Sequence, residues 1–537
     1  MASQQPQEEP KTIPLKILVD KKNNKVVSIE TTKDFIDTLF SFLSLPLGTI
    51  IRLLTTTNNN DQQQEQEQEQ SESSTFLGSI NNLYKSVQNM TPNNVWNNPV
   101  CKQMLLNPRN SCESLCTKLF LNIDDTEPSN KFFVCDSCNK FTTFSNLVCE
   151  CGQPTNKQPT ILDSEGQGNS GGVNVDGLNG VFVKQNGSMF LVFDDLKIVP
   201  SSLVSSMEML MELGYSDLTQ LEEVTHSIGK QEILKLLKYT LTSQEPLTNT
   251  ILKSSSKNKE IPPNQFASAI RERPCTRDIK MDVKLIRSKS QKKIVFAEAS
   301  ENFVDFMFSF LTIPLGSIVK LLDGNTFVGC VDNLYKSVES LDSSWCTDSR
   351  SMLLNPGLAP QFGCPNQPLN ISDVETPTTY YYGTGSKKHD PYYGMRQIQF
   401  VGGVISKSYG SVYEAKTLTS LDPRSPNRSN NNVVGFVKRP TLYGVADDLT
   451  VKVLSGSSCL SYLKELSLPL DDLEMKVISI GEAEALSLLA ASLTSKFALT
   501  SGLEDFLNVP KQESNLTSKY IQTSRLDELT KEPKPEN

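Results

Sequence analysis

Two cysteine pairs, Cys135-Asp-Ser-Cys138 and Cys149-Glu-Cys151-Gly152, carry the most pointed chemistry in this chain of 537 residues. Each pair turns back on itself through a short polar step, so four sulfurs can close a tetrahedral all-cysteine site around one zinc ion. The C-x-C half is less usual than a second C-x-x-C, and a redox pair or uncoordinated thiols stand beside structural zinc as readings. Four protein ligands leave no open position for water, so a metal held here is architectural. Cys116 aligns with Cys364 in the repeat described below and reads as a buried structural thiol.

The other candidates are weaker. His226 and His389 are the only histidines, which leaves histidine-based nucleophilic or metal chemistry almost nothing to use. Asp194-Asp195 and Asp447-Asp448 could serve acid/base work, yet neighbours on a strand point to opposite faces and a turn between apolar strands favours Asp. Gly402-Gly403 lacks the spacing of a dinucleotide fold, and Tyr380-Tyr-Tyr-Gly383 has no basic face around it for stacking bases. No catalytic residues and no organic cofactor are expected.

The formal charge of −9 is unfocused, which disfavours a nucleic-acid footprint. The basic run from Lys284 to Lys293 resembles a nuclear signal, but its counterpart with Lys16, Lys21, Lys22 and Lys25 marks it as a hairpin. The polar start, Met1 to Lys16, holds no secretory signal, so the cysteines read as thiols or metal ligands in a cytoplasmic or nuclear protein. The longest uncharged apolar stretch, between Asp37 and Arg52, is about fourteen residues where a span needs about twenty. No membrane span is expected.

Positioning falls to a repeated block. Phe35 to Gly48 returns as Phe303 to Gly316, and about seventeen of about thirty-nine positions agree between Lys16–Leu54 and Lys284–Leu322. Phe35, Leu39, Phe42 and Leu43, like Phe303, Met307, Phe310 and Leu311, recur at helical spacing. Thr32 and Ser300 stand at N-caps, Pro46 and Pro314 stop the helix, and Gly48 and Gly316 suit positive φ. A hairpin, Lys16–Asp20 with Lys25–Ile29, precedes the helix. A second amphipathic helix carries Asn-Leu-Tyr-Lys-Ser-Val in both copies, at 82–87 and 333–338. Leu203, Met207, Leu210 and Met211 form the apolar face of a helix that Gly214 stops, and last helices open at Gly229 and Gly481. The second copy has Gly383 and Ser386 where Cys135 and Cys138 align, so a metal belongs to the first half alone.

These blocks, with Met-Leu-Leu-Asn-Pro at 104–108 and 352–356 and Asp-Asp-Leu at 194–196 and 447–449, resemble the plant domain of unknown function family 674 over roughly Pro14 to Val509. The resemblance implies plant ancestry and two units per chain, and carries no activity. The expected fold is α+β: two tandem homologous modules, 13–250 and 283–510, each a small sheet packed by amphipathic helices. Disorder is expected at 1–12 and 511–537, a linker at 251–282, a Gln/Glu-rich loop at 58–74, a cysteine insert at 131–153, and long mobile loops at 152–180 and 387–432. Each half is expected to bury its own core. The preferred function is a non-catalytic interaction or scaffold protein with protein partners and one structural zinc. An enzyme with a site between the modules, using aspartates such as Asp195 or Asp448, and a zinc-containing nucleic-acid binder are the alternatives.

Overall fold

Ile13, Leu15 and Ile17 are buried while Thr12, Pro14 and Lys16 are exposed, the alternation that a strand with one face on a core requires. The structure is a computed structural model. It describes residues 10–61, 77–90, 95–126, 132–161, 180–184, 189–252, 276–374, 380–385, 397–402, 412–424, 434–454 and 469–507, single positions within these ranges excepted. In the first half, β1 (Thr12–Asp20) and β2 (Lys25–Thr31) form the expected hairpin, followed by α1 (Lys33–Ser41), a 3-10 turn at Phe42–Ser44 and α2 (Leu47–Asp61). Next come α3 (Ile80–Asn89), α4 (Pro99–Leu106) and the single turn α5 (Glu113–Cys116). The insert supplies β3 (Phe133–Cys135), β4 (Lys140–Thr142), β5 (Leu147–Val148), β6 (Pro154–Thr155) and β7 (Thr160–Ile161). The half closes with β8 (Phe190–Phe193), β9 (Ile198–Pro200), α6 (Leu203–Glu212), β10 (Leu221–Gly229), α7 (Lys230–Thr242) and α8 (Pro246–Ile251).

The second half runs β11 (Met281–Ser288), β12 (Lys293–Ala299), α9 (Glu301–Ser309), α10 (Leu315–Leu321), α11 (Val331–Ser340) and α12 (Ser351–Leu354). Then follow β13 (Tyr380–Gly385), β14 (Gln397–Gly402), β15 (Val412–Ser420), β16 (Tyr443–Ala446), β17 (Val451–Val453), β18 (Leu473–Ile480), α13 (Glu482–Thr494) and α14 (Ala498–Leu507). Two five-stranded sheets have the same order, β10-β1-β2-β8-β9 and β18-β11-β12-β16-β17, and their hairpins carry a bulge at the same place, after Leu18 and after Ile286. The class is α+β, as the residue pattern implied.

The halves do not close separate cores. One continuous hydrophobic cluster contains Phe35, Phe42, Leu83 and Val87 together with Phe303, Phe310, Leu334 and Val338. At its centre Pro46 bridges Pro314; the Leu47 amide donates to the Ile313 carbonyl at 3.1 Å and the Leu315 amide to the Leu45 carbonyl at 3.0 Å. The second helices are exchanged. On α3, Asn82 donates to the Asp448 carbonyl and Ser86 accepts from the Val451 amide; on α11, Asn333 donates to the Asp195 carbonyl and Ser337 accepts from the Ile198 amide. The tyrosines of the same motif turn the other way, Tyr84 to the Leu106 carbonyl and Tyr335 to the Leu354 carbonyl. An apolar face that a sequence assigns to its own sheet is equally satisfied by the sheet of the other half, and here the other half takes it.

Several local expectations change. Thr32 and Ser300 occupy the N-cap positions, but neither side chain makes a capping bond. Gly48 and Gly316 lie inside helices and owe their identity to close approach. A Cβ on Gly48 would stand 2.9 Å from the Leu105 carbonyl, and one on Gly316 2.5 Å from that of Leu353. Of the 58–74 loop, Asn58–Asp61 extend α2, and the remainder lies outside the described residues. So do 1–9, 508–537, 253–275 of the linker, and 162–179, 386–396, 403–411 and 425–433 of the expected loops. Within 387–432, however, β14 and β15 are strands. They join a six-stranded sheet of order β3-β4-β15-β13-β14-β7, so the first half's insert and the second half's long connection share one sheet. The helix α6 forms and ends at Gly214 (φ 82°), but Leu203, Met207 and Met211 face outward.

A shared core predicts that the pieces stay together. Cleavage after Pro262 leaves both fragments in one particle that elutes with the intact 59.6 kDa chain, and either fragment made alone gives no cooperative thermal transition. Two fragments that each melt cooperatively would contradict the exchange of α3 and α11.

Candidate metal centre

The four cysteines of the insert converge. Cys135 ends β3, Cys138 lies in the turn to β4, and Cys149 and Cys151 occupy the turn between β5 and β6. Their sulfurs all lie within 4.8 Å of one another, a spacing that suits one metal ion. Cys135 and Cys151 stand 3.5 Å apart, close to the ~3.8 Å edge of a tetrahedron with 2.3 Å zinc–sulfur bonds. The second turn is fixed by its backbone: the Cys149 amide donates to the Gln153 carbonyl and the Gly152 amide to the Cys149 carbonyl, both at 2.8 Å. Gly152 takes φ 84°, the left-handed conformation that glycine adopts without strain. Lys140 pairs with Glu150 at 2.5 Å and ties the two turns together.

Cys135 and Cys149 are buried with Leu147 and with Leu421 of the second half, while Cys138 and Cys151 pack at the edge of this cluster. The thiols are unequal. A hydrogen bond with Cys138 draws Cys151 down to about 7, and the same bond pushes Cys138 up to about 12. Burial raises Cys149. The isolated thiols differ from these: Cys116 and Cys364 are buried, and burial pushes each up to about 12, far from a reactive thiolate.

The aspartates of the repeated blocks hold backbone. Asp37 on α1 accepts from the amides of Val181, Phe182 and Val183 at 2.7, 2.8 and 3.0 Å. Asp305 on α9 accepts from those of Phe436 and Val437 at 2.8 and 3.0 Å and from Arg439 at 3.1 Å. Both clamped segments pair with the opposite half, Val183 with Cys346 and Val437 with Trp96. This role was missed in the sequence because a single acidic residue on an apolar helix carries no motif. Asp194 accepts from the Leu247 and Thr248 amides at the start of α8, and Asp447 from the Thr500 amide in α14. Asp195 and Asp448 lie on different turns, each held by an asparagine of the opposite half, so they do not share a site. Leu196 and Leu449 follow with φ 62° and 63° and are fully buried. Burying a leucine contributes about 1.5–3 kcal/mol, which offsets the ~1–2 kcal/mol of a left-handed non-glycine backbone.

His226 lies on exposed β10, 3.2 Å from Glu232, and His389 and Gly403 lie outside the described residues. Tyr380–Gly383 belong to β13. Beside the cysteine insert a cleft of about 560 Å³ opens between the halves, lined by Arg109, Gln361, Asp373, Ser420, Asp422 and Arg424 among others. Arg424 is buried and neutralised by Asp422 at 2.8 Å, whereas Arg109 donates to Thr143 and lies over the Phe144 ring. No helix among the described residues is long and apolar enough to cross a membrane.

Comparison with known proteins adds ancestry. A family model described as "Protein of unknown function (DUF674)" matches residues 9–483. No curated protein and no solved structure matches.

The buried carboxyls set a pH dependence. Burial raises Asp37, Asp194 and Asp447 to about 6 and Asp305 to about 7, against 3.8 unperturbed, with the amide bonds opposing. Between pH ~4 and ~7 the folded chain therefore binds more protons than the unfolded chain, and stability falls as pH rises through that window. Carboxyls held low, such as Asp20 and Asp472, act below it. Urea midpoints should be higher at pH 5 than at pH 7.5, and the Asp305→Asn chain should show a shallower slope. At pH 5, Asp37→Asn, which turns a donor toward the Val181 amide, should lose about 1–3 kcal/mol. A midpoint that rises from pH 5 to 7.5 would exclude this assignment of the charges.

Proposed function

The chain belongs to the DUF674 family of proteins of unknown function, and from that premise we propose that it is a non-catalytic interaction protein whose cysteine insert holds one structural zinc ion. The observation that carries this reading is the convergence of Cys135, Cys138, Cys149 and Cys151 on one point, seated against Leu421. Zinc in such a site supplies folding free energy and no chemistry, because all four positions belong to cysteine. In this reading two homologous modules, 13–250 and 283–510 with a linker at 251–282, descend from one plant-lineage unit, and the chain works in the cytoplasm or nucleus. Its repeated polar residues, Asp37, Asn82, Ser86, Asp194 and their counterparts, serve internal contacts, which supports a framework more than a reaction centre. A small-molecule site is the second reading, favoured by the cleft around Arg109 between the halves. A metabolite whose binding is abolished by Arg109→Ala would establish it.

Native mass spectrometry of the full chain should find one zinc ion, and none in Cys138→Ser. Ligation of this kind is worth about 10–16 kcal/mol in small modules, more than the short strands of the two hairpins can gain by burial. Because β4 pairs with β15 at Lys140–Thr419 and the Leu421 amide donates to the Phe141 carbonyl, chelation should expose both the insert and 412–421 to protease. The cluster around Phe35 and Phe303 should persist. A metal-free chain with a protease-resistant insert would end the zinc reading.

A further inference from the structure

Among the described residues, helix α6 is covered on one face and leaves a second, apolar face open. Ser205, Ser206, Met209 and Leu210 turn partly inward, where Ser206 and Leu210 line one pocket with Leu18, Leu191 and Phe193 on the outer face of the first sheet. Leu203, Val204, Met207 and Met211 fill the opposite arc of about 100° and are 78%, 64%, 48% and 67% exposed. Leu213 and Leu218, just beyond the helix's C-terminal end, are exposed as well. An uncovered stripe of this kind marks a site of association.

Charge identifies the occupant. From Ile198 to Gly229 there is no lysine or arginine, while Glu208, Glu212, Asp217, Glu222 and Glu223 are acidic. Glu222 is paired with Lys21, but Glu208 and Glu212, on the rim of the stripe, have no ion pair among the described residues. We infer that the outer face of α6 binds a basic amphipathic helix of a partner protein. Leucine and methionine accept its apolar side, since flexible thioethers fit varied shapes, and the two glutamates meet its cationic flanks. A second copy would set Glu208 and Glu212 against their own equivalents, and an anionic membrane surface is repelled by the same carboxylates. The assignment rests on the interaction-protein reading and is independent of the metal.

The test is fluorescence anisotropy of the full chain with a labelled amphipathic peptide of about eighteen residues, five helical turns, bearing leucine on one face and lysine on the other. The lysine peptide should bind, weakening with salt, and a matched glutamate peptide should not. Met207→Glu with Met211→Glu, both at exposed positions, should reduce affinity about tenfold or more, with circular dichroism unchanged. Glu208→Lys with Glu212→Lys should reverse the preference between the peptides. Equal binding of both peptides, or affinity unaffected by either double variant, overturns the assignment. So does self-association or vesicle binding that Met207→Glu with Met211→Glu abolishes, which would make the face a contact for a second copy or for lipid. Failure here with one zinc still bound sinks this surface and leaves the zinc reading standing; peptide binding by a zinc-free chain does the reverse.

Discussion

Pro46 and Pro314 meet where neither can donate a hydrogen bond, so the crossing is held by the next residue on each side, Leu47 to Ile313 and Leu315 to Leu45. Everything around it follows from how close the two backbones come. Gly48 and Gly316 leave room for the carbonyls of Leu105 and Leu353 and of the opposite half's Leu311 and Leu43. With the two core helices fixed against each other, α3 and α11 each find the far sheet within reach. The asparagines and serines of their shared motif then bond across the join, while the tyrosines bond within their own half. Buried polar groups are tolerable only when paired, and the Val451 and Ile198 amides find Ser86 and Ser337 only if both halves are present.

The hairpins, core helices and second helices were legible because their apolar residues keep period 2 or 3.6, and the α+β class followed. Their assignment to one half or the other was not legible, since periodicity gives the face of a helix and not its partner. The edge strands β10 and β18 went unread for a similar reason. Leu-Glu-Glu-Val-Thr-His and Leu-Glu-Met-Lys-Val-Ile lie largely exposed, so burial leaves little pattern in them, and their pairing with β1 and β11 is made by backbone. The cysteine cluster was legible as spacing, because short turns bring sulfurs together whatever surrounds them. Its contact with Leu421, nearly three hundred residues away in sequence, carries no local signal. The aspartate clamps at Asp37 and Asp305 were hidden because their partners are main-chain amides, which any sequence supplies.

Asymmetry between the halves is concentrated in the insert. Where β3 and β4 are short and depend on a small patch of Val134, Phe141 and Leu418 for burial, the second half uses the longer strands β13 to β15. The two solutions meet in one sheet through the parallel pairing of β4 with β15 and of β7 with β14. The cysteine turns therefore sit at a seam and not at a free tip, and their order bears on both halves.

Exchange of the second helices also has a consequence in time. Ser79, at the start of α3, donates to the carbonyl of Ser495, 416 residues further on. At about 5–20 residues per second a ribosome needs on the order of 20–80 s to reach it. For most of that interval Ile80, Leu83 and Val87 have emerged while β17, against which α3 packs, has not been made. The nascent first half thus waits with an open apolar helix, an exposure during synthesis that a chain of two self-sufficient domains does not have.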